Sequence, residues 1–212
     1  MKTKSITFGI AILTLSLTSA TAQINLGGKA LGALQKGASA LMFKNEDAIQ
    51  MAKLAVVKLD SANTVAPANN GYAVRLNRLF GKHATEQGLN LNYKVYLTKD
   101  VNAFAAADGS VRVFSGLMDI MDDNQLLAVI GHEIGHVANE DTKDAIKSAY
   151  IKEALIDGAS SQSDKIASIT DSQYGKIGSA LVDSKHSRKQ ENDADVFSYD
   201  FMKRNGYNVN AV

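Results

Sequence analysis

Cysteine is absent from this chain of 212 residues, and charge of one sign is not in excess. Without cysteine there is no disulfide framework, no thiolate zinc site and no cysteine nucleophile. The 23 lysines and arginines nearly balance the 22 aspartates and glutamates, so no basic field supports nucleic-acid binding. The chain is long enough to bury a sizeable core, and we expect one main domain.

A hydrophobic run long enough to span a bilayer, about 20 residues, is also lacking. Lys2 and Lys4 precede a short apolar segment over residues 6–17, and Ala20-Thr21-Ala22 forms an A-x-A cleavage site. We expect residues 1–22 to be a signal peptide that is cleaved after Ala22. The mature protein is then expected in the periplasm, at the outer membrane or outside the cell, with no stable transmembrane segment. An uncleaved membrane anchor is the alternative.

The rest of the chain is predicted to form a small-residue arm over residues 23–44 and a mostly helical α+β domain over residues 45–212. Periodicity of 3.6 predicts helices, and alternation of apolar and polar residues predicts strands. Helices are predicted over residues 45–59, 72–87, 122–138, 139–157, 165–181 and 187–198. Strands are predicted over residues 91–97, 101–106 and 111–114, the last two joined by a hairpin turn at Asp108-Gly109.

The most informative pattern is H-E-x-x-H, formed by His132, Glu133 and His136. Residues four apart lie on one face of a helix, so both imidazoles can point at one metal ion. Glu133 lies one residue round from His132, where it can reach a metal-bound water without being a ligand. Apolar neighbours predict that this helix is buried, and buried histidines need partners, which a metal supplies. A coincidental match is the alternative.

A catalytic zinc site usually has a third protein ligand, and Glu191 is the best candidate for it. Asp195 lies one helical turn further on and could accept the far N–H of a ligating histidine. Two competitors are weaker. Glu140 would lie about 12 Å from His132 along a straight helix, and His186 precedes the helix and has no supporting partner at helical spacing. A solvated acidic face is the alternative explanation of this segment.

H-E-x-x-H followed by E-x-x-x-D resembles the gluzincin metallopeptidases. The motifs that are similar to peptidase family M48 are Asn102-Ala103-Phe104, Ser115-Gly116-Leu117, residues 130–137, Ser187-Arg188 and residues 191–195. The resemblance covers roughly residues 45–210. It implies a zincin-like fold with a small sheet beside the active-site helix, one Zn²⁺ per chain and endopeptidase activity in envelope protein quality control. Relatives often continue with another helix, so the domain could be incomplete at Val212.

We therefore expect an exported zinc endopeptidase that hydrolyses unfolded or misassembled envelope proteins, with Glu133 as general base on a zinc-bound water. The alternative is a metal-binding, chaperone-like or scaffold protein of the envelope with little hydrolytic activity; the intact Glu133 argues against it. Val111 and Val113 are expected to present an exposed strand edge to an extended substrate. Asn102 and Arg188 are further candidates for substrate or oxyanion contacts. The sequence leaves open whether the protein forms an oligomer or binds a partner in the envelope.

Overall fold

The structure, a computed structural model, describes residues 43–156, 170–183 and 185–212. The predicted signal peptide, most of the predicted N-terminal arm and the start of the predicted 165–181 helix lie outside these ranges. Within them, no helix combines the length and apolar character that crossing a bilayer requires.

The described residues form a mostly helical α+β fold, which confirms the predicted class. Its helices are α1 (Asn45–Ala62), α2 (Gly71–Phe80), α3 (Ser115–Ile120), α4 (Asp123–Ala138), α5 (Asp141–Ile156), α6 (Asp171–Val182) and α7 (Arg188–Arg204). Its strands are β1 (Thr85–Glu86), β2 (Leu89–Asn90), β3 (Asn92–Tyr96), β4 (Ala103–Ala105) and β5 (Ser110–Phe114). Short 3₁₀ turns lie at Gly81–His83 and Val209–Ala211.

Several predicted helices have different bounds in the structure, and two of these differences change the path of the chain. The helix predicted over residues 72–87 ends at Phe80, and the chain then forms the small β1–β2 hairpin. Gln87 and Gly88 form its turn with φ of 46° and 82°, as a type I′ turn requires. The helix predicted over residues 139–157 begins only at Asp141, because Glu140 has a φ of 66° and breaks the helix after α4.

The main sheet has three strands in the order β3-β5-β4, with β5 parallel to β3 and antiparallel to β4. The predicted hairpin between β4 and β5 is confirmed, and Gly109 has a φ of 84° in its turn. The prediction that Val111 and Val113 form an exposed edge is wrong. β5 is the central strand, and all five of its residues are buried. Within the described residues, the edge strand on this side of the sheet is β4.

Both faces of the sheet are covered. Val95, Val111 and Val113 face a core built mainly from α2, α4 and α7. Tyr96 and Phe114 face a second core formed with α1, α5 and α6. The strand β5 therefore alternates between two apolar layers rather than between core and water.

One buried charge interrupts the second core. Arg112, in the middle of β5, is 2% exposed, and its Nε donates to Asp60 of α1 at 2.8 Å. Lys94 and Tyr96 also donate to Asp60, each at 2.7 Å. Burial alone would raise the pKa of Asp60, but hydrogen bonds from Arg112, Lys94 and Tyr96 outweigh it and hold the pKa at about 2. The network joins α1 to the sheet. Its stabilising effect is fully present above about pH 3.8 and is lost as the pH falls from there through about 2.

Asp60→Ala should lower the free energy of unfolding by about 3–5 kcal/mol, because it leaves the buried Arg112 guanidinium without its counter-charge. Asp171→Ala is the matched control, since it removes an exposed carboxylate that pairs with Lys58. We expect that control to cost less than about 1 kcal/mol. Urea unfolding measures both, and equal losses in the two variants would contradict the role given to the network.

Helices α4 and α7 cross at very short range, and two glycines of α4 permit this. A Cβ added at Gly135 would lie 3.0 Å from the Cα of Ala194 and 3.0 Å from the Cβ of Phe197. A Cβ at Gly131 would lie 3.2 Å from the Oγ of Ser198. That Oγ donates to the backbone carbonyl of Ala128 at 2.7 Å, which fastens the crossing. Small residues on both helices thus set the distance between them.

Gly135→Ala should lower the free energy of unfolding by up to about 2 kcal/mol. Alanine is better than glycine in a helix by about 1 kcal/mol, but here the new methyl group meets helix backbone and forces α4 from α7, which costs about 1–3 kcal/mol. Gly175→Ala is the control, since Gly175 lies in α6 with no atom within 4 Å of its added Cβ. That variant should be more stable than the wild type. If Gly135→Ala raised the free energy of unfolding instead, α4 and α7 would not be as closely packed at this point as the structure indicates.

Candidate metal centre

The last two turns of α4 bring His132 and His136 together. The helix begins at the predicted capping box, in which Asp122 accepts from the N–H of Gln125 and the Gln125 side chain accepts from Asp122. The four-residue spacing then places both imidazoles on one face. Their Nε2 atoms lie 3.0 Å apart.

Glu191, in the first turn of α7, faces the same point. Its Oε2 lies 3.5 Å from His132 Nε2, and its Oε1 lies 3.9 Å from His136 Nε2. The donor atoms of these three residues all lie within 4.8 Å of one another. Donors bound tetrahedrally to one zinc ion would be about 3.4 Å apart, given bonds of about 2.0–2.2 Å. The three residues therefore fit a single ion.

Two carboxylates fix the far sides of the imidazoles. His132 Nδ1 lies 2.8 Å from Asp195 Oδ1, and His136 Nδ1 lies 2.9 Å from Asp141 Oδ2. Each Nδ1 therefore carries the proton, and each Nε2 is left with a lone pair. Two lone pairs 3.0 Å apart repel one another unless a proton or a metal ion lies between them. This donor chemistry fits a metal ion.

Asp141 is the member of this group that sequence analysis did not identify. It is 6% exposed and lies five residues after His136, a spacing at which a continuous helix would not bring the side chains together. The break at Glu140 makes the contact possible. Glu140 itself lies away from the centre, where it pairs with Lys143 and accepts from Asn45.

Glu133 is half-buried on α4, the helix that packs against β4. Burial, together with the charge of Glu191, raises its pKa to about 8, and the nearby backbone of Ala105 in β4 opposes the shift. The carboxylate thus lies between the metal helix and the edge strand. A carboxyl group whose pKa is moved into the neutral range can both accept and release a proton.

The remaining candidates are dispersed. The Asn102 side chain donates to the carbonyl of Val182 at 3.2 Å, and so joins the start of β4 to α6. Arg188 is exposed and makes no ion pair within the described part of the chain. His186 lies closer to the centre than the sequence suggested, since its ring stacks on that of His136 with centroids 3.8 Å apart. Burial and the neighbouring His136 lower the pKa of His186.

The raised pKa of Glu133 implies a pH-dependent stability of the metal-free chain. Between about pH 4.5 and 8 the folded chain binds more protons than the unfolded chain, so its stability falls as the pH rises. Glu133→Gln should therefore stabilise the metal-free chain by about 1–3 kcal/mol at pH 8 and by much less at pH 5. The full shift of the pKa from 4.5 to about 8 would correspond to about 5 kcal/mol at about 1.4 kcal/mol per unit. The expected range is lower because the carboxylate keeps some access to water.

Urea unfolding in chelator at both pH values measures this difference, with Glu46→Gln, which changes an exposed glutamate of α1, as the control. A Glu133→Gln effect of the same size at pH 5 and pH 8 would contradict the assignment.

Comparison with known proteins agrees with this geometry. The model of peptidase family M48 matches residues 73–212. Metalloprotease LoiP of Escherichia coli K12 is 42% identical over 179 residues, which cover 82% of this chain and 71% of that protein. Metalloprotease YcaL of the same strain is 38% identical over 174 residues, covering 82% and 68%. Protease HtpX of Nitrosococcus oceani is 32% identical over 98 residues, covering 44% and 33%. The chain therefore belongs to peptidase family M48 and is a metalloendopeptidase.

Proposed function

We propose that the chain is an exported zinc endopeptidase in which His132, His136 and Glu191 hold one zinc ion and Glu133 is the general base. The observation that carries this proposal is the convergence of the two Nε2 lone pairs and the Glu191 carboxylate, with both Nδ1 atoms already occupied. Two imidazoles and one carboxylate form a donor set typical of catalytic zinc, whereas magnesium and calcium prefer oxygen ligands alone.

Zinc bound there would supply Lewis acidity, polarising the scissile carbonyl and lowering the pKa of the attacking water. The Glu133 carboxylate accepts the proton of that water and then gives it to the nitrogen of the leaving amine. Asp195 and Asp141 hold the two imidazoles in one tautomer, so that neither ring has to reorient during turnover.

For the substrate we propose an extended chain that pairs with β4. The backbone groups of Ala103 and Ala105 point away from β5, since the ladder bonds on either side belong to Asn102 and Ala106. The N–H of Ala103 donates to Asn102 Oδ1 at 2.8 Å, so an incoming chain would pair first with the two carbonyls. β4 lies directly beside Glu133, which favours it over the central β5. The edge is almost fully buried, so an unfolded segment can approach it more easily than a folded domain can.

A cavity of about 290 Å³ beside His132 and Asp195, with Ala128 and Val129 in its wall, offers space for an apolar side chain of the substrate.

Export is part of the proposal, and its support is the signal pattern over residues 1–22. We propose the periplasm or the outer face of the envelope as the place of action, with unfolded or misassembled envelope proteins as substrates. A chaperone-like or scaffold role with little hydrolysis is less well supported. Such a role would gain nothing from Glu133, whose burial costs stability.

Zinc content and peptide hydrolysis, measured together on variants, test the proposal. Glu133→Gln should keep one zinc ion per chain and lose about 10²–10⁴-fold in kcat, because a base is removed but no ligand. Glu191→Ala should lose both zinc and activity. Glu140→Gln should retain both, because Glu140 lies on the surface away from the site. Near-normal turnover by Glu133→Gln, or full zinc content in Glu191→Ala, would refute the mechanism.

A further inference from the structure

His136, Asp141 and His186 form a second group of side chains whose donor atoms lie within 4.8 Å of one another. Its hydrogen bonds argue against a second metal ion. Asp141 Oδ2 accepts from His136 Nδ1, and Asp141 Oδ1 accepts from the Nε2 of Gln190 at 2.8 Å. Both carboxylate oxygens and the His136 Nδ1 are therefore already engaged. The group supports His136 rather than holding an ion of its own.

Gln190 has two functions at the start of α7. Its Oε1 accepts from the backbone N–H of Ser187 at 2.9 Å, while Ser187 Oγ accepts from the backbone N–H of Gln190 at 3.3 Å. This is a capping box, in which a glutamate would serve equally well. The Nε2 group adds a bond that glutamate cannot make, since it donates to the buried carboxylate of Asp141.

We propose that Gln190 is a positioning residue for the metal centre, acting through Asp141 on the imidazole of His136. A buried carboxylate needs donors for both of its oxygens, and Gln190 and His136 provide them from two different helices. Gln190 also directly precedes Glu191. One side chain thus couples the orientation of His136 to the position of the helix that carries the third donor. This inference rests on the proposed zinc site.

Two substitutions, made singly and together, can separate the positioning of His136 by Gln190 from the capping of α7 by the same side chain. Gln190→Glu keeps the acceptor for Ser187 but removes the donor and sets a second negative charge against Asp141. Asp141→Asn leaves its amide facing the amide of Gln190. In the variant that carries both exchanges, the hydrogen bond is restored with its direction reversed. The amide introduced at position 141 donates to the carboxylate introduced at position 190, and the amide oxygen still accepts from His136. The total charge of the pair equals that of the wild type.

Zinc dissociation constants, measured by chelator competition on the full chain, provide the first readout. Each single variant should raise the constant about 10–100-fold, the usual effect of losing support behind a ligand. The double variant should lie within about threefold of the wild type. Gln125→Glu is the control, because it makes the same change in the exposed capping box of α4, and it should bind zinc as the wild type does. A Gln190→Glu value within about twofold of the wild type, or a double variant as weak as the product of the single variants, would overturn the proposal.

The metal-free chain provides the second readout, which is independent of zinc. Nitrogen NMR of the His136 ring should show the Nδ1–H tautomer in the wild type and in the double variant, and a mixture of tautomers in Gln190→Glu. An unchanged His136 spectrum in Gln190→Glu would overturn the proposal whatever the zinc measurements give. Failure of the wild type to bind zinc would refute the proposed function, while the NMR comparison would still decide the role of Gln190.

Discussion

The close crossing of α4 and α7 is the constraint on which the rest of this centre depends. Gly131 and Gly135 leave no side chain between α4 and the small residues Ala194 and Ser198 of α7. At that separation the first turn of α7 can reach the two histidines, and the next turn can reach the far nitrogen of one of them. A wider crossing would move Glu191 out of range of both histidines at once, because a helix moves as a rigid body.

Three carboxylates in the described residues, one buried and two partly buried, differ in the number of hydrogen-bond donors that they face. Asp60 receives hydrogen bonds from three side chains, and its pKa is held at about 2. Asp141 has a donor for each oxygen. Burial and the charge of Glu191 raise the pKa of Glu133 to about 8, and only the nearby backbone of Ala105 opposes them. The first two are suited to fixed structural roles, whereas the third can exchange a proton near neutral pH.

The sequence predicted those contacts that follow from spacing within one helix, and missed those that depend on the path of the chain between elements. His132 and His136 could be placed because residues four apart share a face, and Asp195 followed from Glu191 by the same rule. Asp141 depends on a left-handed residue at position 140, which no pattern indicated. The edge strand was assigned wrongly because strand order is non-local: β5 enters between β3 and β4 although it follows both in sequence.

The centre also lies where three helix ends meet, and its two carboxylates at helix N-termini have the charge that those ends favour. His136 belongs to the last turn of α4, while Asp141 and Glu191 belong to the first turns of α5 and α7. Negative groups are stabilised at helix N-termini and positive groups at C-termini, by about 0.3–1 kcal/mol each. The fields of α5 and α7 thus offset part of the repulsion between two carboxylates brought close together. The donors can therefore be held in place by the protein itself before an ion arrives, which lowers the cost of ordering them on binding.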